Sequence, residues 1–322
     1  MRWVIKSAQI IYPGHPLHQK KRDILIEDGI ILDIKGSIST EENDQVIKMK
    51  NLSVSLGWVD LGARACDPGH EQKEDLNSSL NALAKGGFTQ AVILPASSPI
   101  PDEKSIIDYL IQSSDHHLVE LLPAGSISKG SNGSQLSEMF DMLSSGAVAF
   151  CDEQPVDRAD LVNRALEYCK SFKGLIYSIP FDRDLSNKGL MHEGESSTKM
   201  GVAGIPALAE EARLARDLEI LRYTEGRLHV YGVSTSRSVQ MIKAAKKEGL
   251  KVTASIAAHQ LCFTDEDLKG YDSNFKVLPP FRSKKDINAL VKGLDEGTID
   301  ALHTDHHPQQ IEDKKREFQH AQ

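Results

Sequence analysis

The sequence predicts an α/β protein: an eight-stranded (β/α)8, TIM-like barrel behind a small N-terminal β domain. Three observations predict it. Eight apolar, strand-like runs follow one another from residue 56 onward, and amphipathic stretches separate most of them. The first 55 residues carry a different pattern, short β-rich runs joined by turns. Strands alternating with helices are the signature of parallel βα units, and eight such units favour a closed barrel over an open sheet.

In the N-terminal region the runs are WVIKSAQII, DILIEDG, GIILDIKG, QVIKMK and NLSVSL, with an EDG turn between the second and third. They read as one small sheet. The barrel strands begin with LGWVDLG at residue 56 and FTQAVILP at 88, followed by HLVELLPAG at 117 and AVAFCD at 147. GLIYSIP at 174, RLHVYGVS at 227, KVTASIA at 251 and TIDALHTD at 298 complete the set. The segments EDLNSSLNALAKGG, IIDYLIQSS, LVNRALEYCKS, IPALAEEARLARDLEILRYT and SVQMIKAAKKEG lie between them, with glycine or basic residues near their ends as helix stops. The stretch at 205–223 has alternating charges and an apolar stripe, which suits the outer ring of the barrel and also subunit contacts in a homo-oligomer. IEDKKREFQHAQ stands where the eighth helix is expected to begin, so the barrel is expected to be incomplete at its C-terminal end.

Composition narrows the functional classes. With 40% hydrophobic and 26% charged residues the chain has ordinary globular character, and no apolar run approaches the roughly 18–20 residues that span a bilayer. The opening MRWVIKSAQIIYPG lacks an apolar core followed by a small-residue cleavage site, so a cytoplasmic location is expected. Cys66, Cys151, Cys169 and Cys262 are scattered without a CxxC pair and are expected to be reduced and mostly buried. A net charge of −8 argues against a nucleic-acid partner, and the basic run Lys243–Lys247 reads as a solvated helix face.

Active sites in α/β barrels lie at the C-terminal ends of the strands. This directs attention to Asp60–Cys66, Pro95–Ser98, Asp152, Gly232–Thr235, His259, Gln260 and His303–Gln309. Around these positions stand VDLGARACDPGHEQKEDL, GGFTQAVILPASSP, HEGESSTKMGVAGIPALAEE, HVYGVST, KVTASIAAHQL, YDSNFKVLPPFR and GTIDALHTDHHP. In this order they resemble the motif series of the dihydroorotases of the amidohydrolase superfamily, from one end of the chain to the other. The resemblance implies an amidohydrolase-type barrel over 56–322 and a small β-sandwich-like domain over 1–55. It also implies hydrolysis or closure of the dihydroorotate ring by a zinc-activated hydroxide, with an Asp as proton shuttle.

The positions that would carry this chemistry depart from the family. Its Asp-x-His-x-His-x-Arg run, with two zinc ligands and a substrate-binding Arg, stands here as Asp60, Leu61, Gly62, Ala63, Arg64, Ala65 and Cys66. Pro-Asn-Thr becomes Pro95, Ala96 and Ser97, and the sixth-strand His becomes Gly232. The His-His pair becomes His259 and Gln260, with Gln at the ligand position. The Asn before the double proline is Leu278, and the last His of Asp-His-Ala-Pro-His is Gln309. Asp152 and Asp305 remain, Asp305 as a vestigial catalytic group.

Substitutions that fall on metal and substrate positions while sparing the fold imply a catalytically inactive homologue without metal. The resemblance extends to non-catalytic members that act as structural partners of aspartate transcarbamoylase in pyrimidine biosynthesis. The alternative is an active dihydroorotase or other cyclic amidohydrolase with an atypical zinc site. A metal relocated to His303, Asp305, His306 and His307 is disfavoured because adjacent His306 and His307 do not readily face one ion. Cys66 as a nucleophile lacks an identifiable base. Because the first and eighth strands of a closed barrel are neighbours, Arg64 is expected to pair with Asp305.

Overall fold

A computed structural model describes residues 1–321. Two compact units divide the chain, Met1–Trp58 and Val59–Gln322.

The first unit contains β1 (Arg2–Ile11), β2 (Lys21–Glu27), β3 (Ile30–Lys35), β4 (Gln45–Ile47) and β5 (Ser53–Ser55). As the runs predict, these strands form one hydrogen-bonded sheet. β1 pairs with β2 along one edge, and on the other edge its two halves pair with β4 and β5. The division of β1 falls at Ser7, which has φ 53° where the register with β2 shifts. Asp23 secures the irregularity by accepting from Ser7 N at 2.8 Å, from Ile38 N at 2.9 Å and from Lys6 Nζ. Burial pushes the Asp23 carboxyl up, but these donors outweigh it and hold it below the usual carboxylate range.

The second unit is a parallel barrel. Its strands and helices run β6 (Trp58–Ala63), α1 (Leu76–Lys85), β7 (Phe88–Ile93), α2 (Lys104–Ser113), β8 (Glu120–Gly125), α3 (Met139–Ser144), β9 (Ala149–Phe150), α4 (Ala159–Lys170) and β10 (Ile176–Ser178). An excursion follows, with α5 (Arg183–Ser186), β11 (Met191–His192), α6 (Glu195–Met200) and β12 (Gly204–Ile205). The alternation resumes with α7 (Leu208–Thr224), β13 (Leu228–Tyr231), α8 (Ser236–Lys247), β14 (Val252–Ala257), α9 (Lys284–Asp295), β15 (Ala301–His303) and α10 (Ile311–Lys314). All eight expected barrel strands are present, in the order β15-β14-β13-β10-β9-β8-β7-β6. The barrel closes where Ala63 bridges His306 in parallel and Arg64 N donates to His306 O at 2.8 Å. Helices α3, α5, α6 and α9 and the β11–β12 ribbon are additions to the expected pattern.

Local chemistry sets the helix starts. The side chains of Asp75, Thr235 and Ser283 accept from the backbone of the first turns of α1, α8 and α9. Alternation along the strands then divides the side chains. Leu228, Val230, Ala254 and Ile256 join the core beneath the helices. Their neighbours His229, Tyr231, Thr253 and Ser255 take the opposite face, where their contacts run from strand to strand. No helix among the described residues is long and apolar enough to cross a membrane.

Candidate functional site

At the C-terminal ends of the barrel strands lies a cavity of about 700 Å3, lined among others by Arg64, Tyr231, His259, His303, Asp305 and Gln309. Arg64 follows β6 directly, and its Nη1 donates to Asp305 Oδ1 at 3.0 Å, the pairing expected from barrel closure. Each side chain is only 14% exposed. Burial works against the Arg64 charge, but Tyr231 and Asp305 more than offset it, so the guanidinium stays charged. Asp305 has a positive φ of 55° and accepts a second bond from Tyr231 Oη at 3.1 Å. The same hydroxyl lies 3.3 Å from Gly62 O. Burial and then Asp305 raise the Tyr231 phenol well above its ordinary value, so it remains a donor.

Gly62 is walled in by Tyr231. A Cβ built on Gly62 would lie 2.2 Å from Tyr231 Cε2. Next to it Asp60, fully buried, accepts from Thr304 N at 3.0 Å and from Thr304 Oγ1, fastening β6 to the turn after β15.

Other sequence candidates are not brought to the cavity. Asp152 is 3% exposed and accepts from Ser126 Oγ at 2.7 Å, from Ser128 N at 2.8 Å and from Ser128 Oγ. Burial still raises its carboxyl above the usual value. Gln260 is buried and donates from Nε2 to Pro279 O at 2.7 Å, so it acts as a loop tie. Cys66 is buried, and burial raises its thiol, which disfavours a nucleophilic thiolate. His303, the last residue of β15, does line the cavity, with its Nδ1 3.0 Å from Ser255 Oγ, whereas His306 in the turn after β15 pairs with Glu74 at 2.6 Å.

Sequence reasoning passed over Tyr231, whose alternation with Val230 in HVYGV is the signal that places it opposite the helix-facing core. It also passed over the buried pair Arg282 and Glu210, which stand 3.6 Å apart. Glu210 accepts from Ser234 N and Thr235 N, while Arg282 donates to Ile205 O, so the pair clips three mouth loops together.

A divalent cation does not fit these donors. Gly62 and Gly232 offer no side chain, Gln260 is engaged by Pro279, and Arg64 places a fixed positive charge against Asp305. Among the described residues no three His, Cys, Asp or Glu side chains converge as a metal group.

The architecture is that of the hydantoinase barrels. L-hydantoinase from Arthrobacter aurescens superposes with a TM-score of 0.80 at 19% identity, over 97% of this chain and 71% of that one. A D-hydantoinase structure superposes with a TM-score of 0.79 at 18% identity, over 100% of this chain and 73% of that one. A family model described as dihydro-orotase-like matches residues 53–238. The dihydroorotase of Geobacter metallireducens is 38% identical over 323 aligned positions, covering 100% of this chain and 76% of the relative. That of Ruminiclostridium cellulolyticum is 40% identical over 323, covering 100% and 75%. The chain belongs to the dihydroorotase-like family.

Proposed function

We propose that this chain is a non-catalytic dihydroorotase-like protein that works without metal as a structural or regulatory partner in pyrimidine biosynthesis. Its proposed partner is aspartate transcarbamoylase. The observation that carries the non-catalytic reading is the Arg64–Asp305 ion pair, closed over by Tyr231, at the positions where the family resemblance puts metal and proton shuttle. An Asp engaged by a guanidinium and a phenol at the same oxygen is poorly available as a proton carrier. Without ligands at 62, 64 and 232 there is no Lewis acid to lower the pKa of an attacking water.

Identity of 38–40% to dihydroorotases favours the second reading, an active cyclic amidohydrolase with an atypical zinc site. Two measurements on protein purified without chelator separate them, zinc content and dihydroorotate hydrolysis. The non-catalytic reading expects substoichiometric zinc and no turnover above a heat-inactivated control; near-stoichiometric zinc with turnover overturns it. Partnership is tested by co-elution with the aspartate transcarbamoylase of the same organism at micromolar concentration. Separate elution of the two proteins overturns that assignment.

A further inference from the structure

Inside the barrel, four polar side chains from three adjacent strands form an unbroken chain. His229 Nδ1 lies 2.9 Å from Thr253 Oγ1, and His229 Nε2 lies 2.9 Å from Ser255 Oγ. The same Ser255 oxygen lies 3.0 Å from His303 Nδ1. Thr253 is exposed at the start of β14, whereas His229, Ser255 and His303 are 3% exposed or less. His303 also lines the mouth cavity. Its Nδ1 is taken by Ser255, and its Nε2 is buried without a hydrogen-bond partner. His259, which lines the same cavity, likewise has a buried Nε2 without a partner. Two buried imidazole nitrogens on residues that line one cavity thus lack a protein partner.

A serine hydroxyl has one proton, so Ser255 donates to only one of its two imidazoles at a time. In one register Ser255 donates to His303 Nδ1, His229 Nε2–H donates to Ser255, and Thr253 donates to His229 Nδ1. The His303 proton then sits on Nε2. In the other register His303 Nδ1–H donates to Ser255, Ser255 donates to His229 Nε2, and His229 Nδ1–H donates to Thr253. His303 Nε2 is then a bare acceptor. Passing from the first to the second takes one proton from solvent at Thr253 and releases one at His303 Nε2, and every imidazole stays neutral.

We propose that Thr253, His229, Ser255 and His303 form a two-register proton chain that presents His303 Nε2 to the cavity as a neutral donor or acceptor for an uncharged azole-type ring. His259 Nε2 supplies the second contact. The ligand group is uncharged because the ion pair beside Tyr231, which stacks on His303, is closed, Arg64 being matched by Asp305. Burial lowers both His229 and His303 below the ordinary histidine value, which keeps the chain in its neutral forms near pH 7. The proposal rests on the metal-free reading of the mouth.

The test is nitrogen NMR of the full chain, labelled at histidine and freed of metal by chelation, with pyrazole as the neutral probe and acetate as the charged one. Pyrazole is expected to shift both His303 nitrogens and, through Ser255, those of His229. In Ser255→Ala the His303 response should persist while the His229 response disappears, and Ser255→Thr should restore it. Thr253→Val, at the exposed end, gives a second break in the chain if the serine variant does not fold. The proposal is overturned if acetate alone moves His303, if pyrazole moves nothing, or if His229 responds equally in the broken chain. Zinc content is read separately, so zinc found at the mouth before chelation would fail the metal-free reading without deciding the proton chain.

Discussion

Tyr231 occupies the space that any side chain at Gly62 would need: a Cβ there falls 2.2 Å from Tyr231 Cε2 and 2.6 Å from its hydroxyl. The ring is held by its bond to Asp305 and by stacking on His303, with centroids 4.0 Å apart. The position therefore lacks a ligand side chain and also the room for one.

Restoring histidines at 62 and 64 should consequently fail to restore a metal site. Gly62→His/Arg64→His is expected to bind zinc no better than the parent in a dialysis measurement. Gly62→Ala alone should cost about 1–3 kcal/mol by overpacking. In a Tyr231→Ala background the same Gly62→Ala change should cost less than in the parent, read as a non-additive double-mutant cycle in denaturant unfolding.

Removing Arg64 leaves Asp305 as a largely buried carboxylate whose remaining support is Tyr231. Arg64→Met should destabilise the fold by about 3 kcal/mol. Arg64→Met/Asp305→Asn, which removes both charges and keeps a residue that tolerates the positive φ at 305, should be closer to the parent. Urea midpoints for the two variants decide it, and equal losses would contradict the ion-pair account.

Acid should weaken the protein through its interior histidines. Burial lowers His229 from 6.5 to about 4. Between those values the unfolded chain binds a proton that the folded chain refuses, so stability is full above pH 6.5 and is lost as pH falls toward 4. At roughly 1.4 kcal/mol per pKa unit, His229 alone accounts for about 3 kcal/mol of this loss. His229→Gln should flatten the unfolding free energy over that window.

Thiol chemistry should separate the four cysteines. Cys66, Cys151 and Cys169 are buried, with burial raising each thiol, Cys169 to about 12, while Cys262 is exposed. A disulfide reagent should titrate one equivalent quickly in the native protein and the remaining three only after denaturation. A second fast equivalent would place one of the buried thiols within reach of solvent.

The eight strand runs and five intervening helices were legible because each is a local pattern, period 2 or period 3.6 bounded by caps and turns. Lys284–Asp295 has the same kind of signal, with Ile287, Leu290 and Gly293 on its buried side and Ser283 as its cap, yet it was not singled out. In the site, the Arg64–Asp305 pair was legible because closure makes the first and last strands neighbours. The retreat of Asp152 into a nest of serine donors and the capture of Gln260 by Pro279 O were not. Each depends on a partner 19–26 residues away in a loop of irregular path.

By itself, then, the sequence determined the order of the βα units, the absence of a side chain at Gly62 and Gly232, and a guanidinium at Arg64. Only the tertiary structure decided what stands there instead. Tyr231 against Gly62, and Ser255 between His229 and His303, join residues from separate strands whose meeting is set by the parallel register around a closed barrel. That register pairs strands joined by long helical crossovers, so the partners of each residue are set by segments far away in the sequence.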